Sequence, residues 1–302
     1  MDNIYFGIIS YLPTDKDRRE KRLKAHYNQI KVLNELYPDI KIKTSYQGYH
    51  DEDVLWDKVT PVLMSPTGVG INKARNVLLE DFYKSDKDIL VLLDDDRCFF
   101  PYYDSSRFFS DLSDNLSLDW DLIIPLNPRF MPFKKANEEK KNVIHDYWIL
   151  SQYKSLMCAG VFIIKNIKKF KNKEIYFDEK MVSQTGEGYE DMEFCAHFNN
   201  EGLPFYMCQQ LICKTLLAED SVIFKDNENR LNTHKSNIKA VADKYASSGM
   251  TLTSRGGIDM KKVTMASLKS LTFKRSRPYE LEENLYYKVK PTPEVNDKVE
   301  LF

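Results

Sequence analysis

The chain predicts an α/β fold, a buried sheet with helices laid against it, and three observations lead there. Short apolar runs bounded by turn residues alternate with charged segments of helical periodicity through about residue 130. A hydrophobic content of 42% over 302 residues is enough to fill a large core. The stretch DILVLLDDD carries five apolar residues straight into three aspartates, Asp94, Asp95 and Asp96, as a buried strand does when it opens on a site at its carboxyl end.

In chain order, NIYFGIISYL is β-branched and aromatic and stops at Pro13, which predicts a first buried strand. A helix follows from Arg18 to about Leu36, where Leu23, Ile30, Val32, Leu33 and Leu36 recur at near-helical spacing, and IKIKTSY alternates as a second strand. SPTGVGINKARNVLLEDFYKSD starts in a glycine-bearing turn and continues in a helical pattern carrying Ala74, Val77, Leu78 and Phe82. The aspartate-tipped strand comes next, then WDLIIPLN and CAGVFIIKN as two more strands, with the polar insertion PFKKANEEKKN between them as an exposed loop or lid. GEGYEDMEFCAHFNNEGL predicts a helix with glycines and acids at its start, PFYMCQQLICKTL another strand, and SNIKAVADKYASS a late helix. Beyond it lies a basic tail containing LKSLTFKRSRPY.

A formal net charge of -1 gives no global attraction to polyanions, although a balanced total can hide a local basic face. The five cysteines form no Cys-x-x-Cys pair, which fits a reduced chain. The amino terminus lacks a signal-peptide pattern, and no apolar run approaches the ~20 residues needed to span a bilayer, so a cytoplasmic location without a membrane anchor is expected.

Three adjacent carboxylates repel one another unless a cation or protons relieve them. Two of them two positions apart, Asp94 and Asp96, suit a hard divalent cation, Mg²⁺ or Mn²⁺, that also takes phosphate oxygens. The spacing leaves open whether Asp94 or Asp95 pairs with Asp96. It occurs in phosphatases, polymerases and glycosyltransferases alike.

Around the cluster, GINKARNVLLEDFYKSD upstream and CAGVFIIKN followed by YFDEKMVSQTGEGYEDMEF downstream resemble, in that order, the GT-A glycosyltransferases. The likeness is to glycosyltransferase family 2 and to the carboxy-terminal segment of galactosyltransferases, and it covers roughly residues 3 to 235. It implies a Rossmann-like, mixed, mainly parallel sheet flanked by helices, with a donor half to about residue 100, an acceptor half to about 235 and a helical or irregular carboxy-terminal extension over 236–302. It implies a metal-dependent, inverting hexosyl- or pentosyltransferase that takes a nucleoside diphosphate sugar, UDP-linked by expectation. Carried over residue by residue, Asp94 and Asp96 with His234 would hold the metal, and Asp191 with Glu190 would supply the acceptor base. Ser10, Tyr11, Pro13, Arg75, Asn76, Asp94 and Asp95 would meet the donor.

The chemistry agrees, because a leaving diphosphate needs its charge neutralised and an acceptor hydroxyl needs a base. The expected acceptor is a saccharide. Two other readings stand beside it: a phage-type enzyme acting on hydroxymethylpyrimidine in DNA or on a sugar already attached to it, and a non-catalytic nucleotide-sugar-binding module. For DNA the segments of interest are PFKKANEEKKN and KSLTFKRSRPY. A sugar nucleotidyltransferase fits less well, since GIISYLPTDKDRR lacks a glycine-rich loop after the first strand. Self-association is left open by the sequence.

Overall fold

A computed structural model describes residues 2–100, 102–126, 147–152, 160–181, 190–215, 227–252, 258–260 and 269–276. The strands are β1 (Ile4–Tyr11), β2 (Ile42–Gln47), β3 (Val59–Ser65), β4 (Ile89–Asp94), β5 (Arg97–Phe100), β6 (Leu122–Leu126), β7 (Tyr147–Ser151), β8 (Val161–Lys165), β9 (Phe205–Thr215), β10 (Met250–Leu252), β11 (Ile258–Met260) and β12 (Ser270–Lys274). The helices are α1 (Lys16–Leu36), α2 (Ile71–Lys84), α3 (Tyr102–Ser113), α4 (Ile167–Lys171), α5 (Glu190–Asn200) and α6 (Asn227–Lys244).

The main sheet runs β3-β2-β1-β4-β8-β6-β9-β7-β12, with β5 paired to β9 off this path. β1 pairs in parallel with β2 and β4, β2 with β3, and β6 with β9, while β8, β7 and β12 run antiparallel to their neighbours. This is the expected α/β architecture, a mixed sheet flanked by helices. Alternation along the central strands explains why both faces are covered. Tyr5, Ile9, Leu90, Leu92, Phe162 and Ile164 turn to one core, against α2, α5 and α6. Ile4, Phe6, Ile8, Val91, Leu93 and Ile163 turn to the other, against α1 and α3.

The helix ends are set by local chemistry. Asp15 caps α1 by accepting from the Arg18 amide at 3.0 Å. The side chain of Gln47, at the end of β2, accepts from the amides of Val69 and Gly70 at 2.7 and 3.1 Å and so ties the start of α2 to the sheet edge. α5 is anchored by Phe194, which stacks face to face on Phe177 with centroids 3.9 Å apart. Glu193, fully buried on the same helix, accepts from Lys244 and Tyr245, both at 2.5 Å, and thereby joins α5 to α6.

The expected boundary at residue 235 falls inside α6, and β12 returns from the tail to complete the sheet edge beside β7. Within that tail, Arg275 is buried and stacks 3.7 Å over the ring of Trp148, so this arginine packs rather than projecting toward a phosphate. Trp148 is fully buried and donates to Asp111 at 2.8 Å. PFKKANEEKKN and the glycines preceding α5 lie outside the described residues. Cys98, Cys195, Cys208 and Cys213 are buried and joined in no disulfide. No described helix is long and apolar enough to cross a membrane.

Candidate functional site

Because β1, β2, β3 and β4 are parallel, their carboxyl ends open on one edge of the sheet. Asp94 is the last residue of β4, and Asp95 and Asp96 form the turn into β5 at Arg97. β8 runs antiparallel to β4 with Val161 opposite Leu93, which sets Gly160 beside Asp94. The Asp94 amide donates to the Gly160 carbonyl at 3.2 Å. Gly160 has a φ of 61°, and a Cβ there would stand 2.5 Å from Oδ2 of Asp94 and 3.1 Å from Nε of Arg97. Glycine satisfies both the backbone and the space, and it leaves Oδ2 a cradle that any other side chain would fill.

Arg75 is delivered from α2, whose Ala74, Leu78, Leu79 and Phe82 are sunk in the core. It is 1% exposed. Its guanidinium donates to Oδ1 of Asp94 and to Oδ1 of Asp191, each at 2.9 Å, and lies 3.6 Å from Oε1 of Glu190. Beneath it are the rings of Phe177 and Phe162, at 4.9 and 5.6 Å. The second oxygen of Asp191 accepts from the Gly160 amide at 3.0 Å. Four separate segments, at residues 75, 94, 160 and 190–191, therefore meet at one point on the sheet edge.

The Arg75 guanidinium faces three carboxylates there, and burial together with these charges shifts the groups. Burial pulls the Arg75 pKa down, but Asp191, Asp94 and Glu190 outweigh it and hold the group protonated. Burial, reinforced by neighbouring Asp191 and opposed by Arg75, raises Glu190 to about 8. Oε2 of Glu190 is buried without a hydrogen-bond partner among the described residues. Asp96 is pushed up to about 6, chiefly by burial, with Arg97 opposing and Asp95 and Asp94 adding to the rise. Its Oδ1 lies 3.4 Å from Nε of Arg97.

Several residues expected to meet the donor are engaged within the chain itself. Asp95 is fully buried and turned inward, held through both oxygens by Arg22 at 3.0 and 2.6 Å and by the Ser10 hydroxyl. Of the three aspartates, Asp94 and Asp96 are the ones left at the edge, 21% and 15% exposed. The Ser10 hydroxyl is engaged with Asp95 and with Tyr49, and Pro13 is buried. Asn76 is consumed in folding: it accepts from the Phe177 amide at 2.8 Å and donates to the Phe177 carbonyl and to Glu179 at 2.9 and 3.1 Å. Tyr11 does stand open at the end of β1, 40% exposed. His234 falls within α6, its side chain outside the described residues. Among the described residues, no three His, Cys, Asp or Glu side chains converge to hold a metal by themselves.

The site also contains residues that the motifs did not single out: Arg22, Gln29, Arg97 and Gly160. Arg22, His26 and Gln29 stand at i, i+4 and i+7 on α1, a polar stripe on a face that also buries Ala25, Ile30 and Leu33. That stripe was the available signal. On the same edge of the sheet, with β1 between it and β4, a cleft of about 390 Å³ opens among Tyr49, His50, Asp51, Glu52, Met64, Ser65 and Pro66.

No family model and no curated protein matches the chain. Among solved structures it is similar to residues 1–349 of S. aureus TarS at 10% identity, covering 81% of this chain and 72% of that one with a TM-score of 0.47. The same fragment in complex with UDP-GlcNAc gives 10% identity, 80% and 73% coverage and a TM-score of 0.45. A CMP:2-keto-3-deoxy-manno-octonic acid synthetase complexed with CTP gives 8% identity, 68% and 89% coverage and a TM-score of 0.41.

Proposed function

We propose that the chain is a glycosyltransferase of the GT-A type that moves a sugar from a nucleoside diphosphate sugar, UDP-linked by preference, to the hydroxyl of a saccharide acceptor with inversion. The observation that carries this reading is the bridge made by Arg75 between Asp94, at the end of β4, and Asp191, at the start of α5. It brings together the three segments that the sequence resemblance had matched separately.

The donor set is compatible with a hard divalent cation of the kind that arrives with a diphosphate. Such ions use one or two protein carboxylates and fill the remainder of the shell with phosphate oxygens and water. Asp94, through the Oδ2 that Gly160 leaves free of a side chain, and Asp96 are the residues that would hold it. When bound, the ion supplies Lewis-acid neutralisation of the leaving diphosphate.

The remaining chemistry belongs to the chain. Asp191 is 15% exposed and oriented through both oxygens by Arg75 and the Gly160 amide, which suits a base fixed beside the reacting hydroxyl. It takes the acceptor proton as the acceptor oxygen bonds to the anomeric carbon and the bond from that carbon to the phosphate oxygen breaks, releasing the nucleoside diphosphate. A single displacement inverts the centre.

A thermal-shift panel of nucleotide sugars with Mn²⁺ tests this, because a ligand that binds only the folded state raises the midpoint, by about 2.7 kcal/mol of stability at one hundred times its Kd. One nucleotide sugar is expected to stand out, and a saccharide acceptor is expected to release nucleoside diphosphate from it. Stabilisation by nucleoside triphosphates alone, with pyrophosphate as product, would instead identify nucleotidyl transfer.

A further inference from the structure

We propose that Gln29, on α1, is a positioning residue for the acidic turn, holding Asp94 and Asp96 in place before any ligand arrives; this rests on reading the turn as the element that meets the cation and diphosphate. Its amide nitrogen donates at 2.7 Å to the carbonyl of Asp94 and at 2.7 Å to the carbonyl of Arg97, the first and last residues of the turn. Both amide protons are thereby used on one side of the side chain. The oxygen faces Nδ1 of His26 at 3.3 Å, and Nε2 of His26 faces the Tyr46 hydroxyl at 2.9 Å. Gln29, His26 and Tyr46 are all fully or almost fully buried.

The relay has one consistent direction. Burial lowers His26 to about 4, so the ring is neutral at ordinary pH and carries a single N–H. With the Tyr46 hydroxyl donating to Nε2, Nδ1–H donates to the Gln29 oxygen, and the amide nitrogen is left to face the turn. An apolar residue at position 29 would leave two carbonyls without this donor, and a carboxylate would repel them. From the same face of α1, two turns earlier, Arg22 draws the Asp95 side chain inward. The backbone of the turn is thus tied at both ends and its central side chain pinned below, with Asp94 and Asp96 directed to the edge. Residues that orient a metal's ligands in this way are worth about 10–100-fold in affinity.

The test is Gln29→Met, which keeps the length and removes the donor, read in two ways on protein whose far-UV spectrum matches the parent. Hydrogen exchange of the ligand-free chain is expected to quicken about 10-fold or more at residues 95–97 while β2 is unchanged, the effect of two lost hydrogen bonds confined to the turn. Titration with Mn²⁺ in the presence of UDP is expected to show about 10–100-fold weaker binding than the parent. Unchanged exchange overturns the proposal, and so does quickened exchange with undiminished affinity. If the parent itself shows no affinity for Mn²⁺ with UDP, the glycosyltransferase reading falls, and the exchange measurement alone decides whether Gln29 orders the turn. Should Gln29→Met not fold, Tyr46→Phe removes only the far hydroxyl of the relay; a smaller change in the same two readouts is then expected, and no change in either overturns the role.

Discussion

Replacing Arg75 by methionine is the most direct perturbation of the arrangement at the sheet edge. The side chain is 1% exposed, makes two charge-assisted hydrogen bonds of 2.9 Å to Asp94 and Asp191, and has Glu190 within 3.6 Å. Methionine matches the stem and packs on Phe177, so the loss is almost entirely electrostatic. Removing one member of a buried ion pair costs about 3–5 kcal/mol, because the partner charge stays behind without compensation. Lysine keeps the charge, but a single ammonium cannot reproduce the fork that spans two carboxylates, so Arg75→Lys should lose about one charged hydrogen bond, ~1.5–3 kcal/mol. Urea unfolding at pH 7 followed by circular dichroism measures both. The decisive comparison repeats Arg75→Met on a background carrying Asp94→Asn and Asp191→Asn, where the carboxylates no longer need the guanidinium. The cost of Arg75→Met should then shrink by at least ~1 kcal/mol, the coupling typical of neighbours sharing one network. Equal costs on the two backgrounds, within about 0.5 kcal/mol, would falsify the bridge as an energetic unit.

Gly160→Ala should destabilise the chain by about 1–3 kcal/mol in the same unfolding assay, since the positive φ strains any other residue and the new methyl would meet Oδ2 of Asp94 at 2.5 Å; a neutral result would mean that β8 shifts freely against β4. Glu190, raised to about 8, holds a proton in the folded chain that the unfolded chain releases near its ordinary pKa of ~4.5, so its contribution to stability is full below that value and is lost as pH rises toward 8. Glu190→Gln does not titrate, and its stability relative to the parent should improve between pH 5 and pH 8 by on the order of 2–4 kcal/mol, read from urea midpoints; a constant difference across that window would show that Glu190 is ionised throughout. Asp191→Asn is expected to abolish sugar transfer while sparing donor binding in the thermal-shift panel, and near-parental turnover would remove Asp191 from the role of base.

Much of the fold was legible because its signals are local. β1, β4, β6 and β8 announce themselves as continuous apolar runs, which strands buried on both faces must be. The strands that periodicity did not reveal have local reasons for hiding. β3 contains Pro61 at a sheet edge, β5 is four residues long, and β12 is an edge strand whose single buried side chain among its apolar residues is Phe273. The acidic residues of the site were equally visible, since Asp94, Asp96, Glu190 and Asp191 sit where an apolar run ends or a helix begins. Their individual duties were not. Asp95 looks identical to its neighbours in sequence, yet Arg22, a residue 73 positions earlier, takes it into the interior.

The sequence by itself determined the α/β layering, the strand that ends in aspartates and the acidic start of α5, because hydrophobic periodicity and clustered charge act over a few residues and are written where they occur. Only the tertiary structure decided that Arg75 joins Asp94 to Asp191, that Gly160 stands between them, and that DILVLLDDD presents two carboxylates rather than three. Those outcomes depend on the antiparallel register of β8 against β4 and on the face that α1 turns to the sheet. Each is set by contacts between residues far apart in the chain, and such pairings carry no local trace.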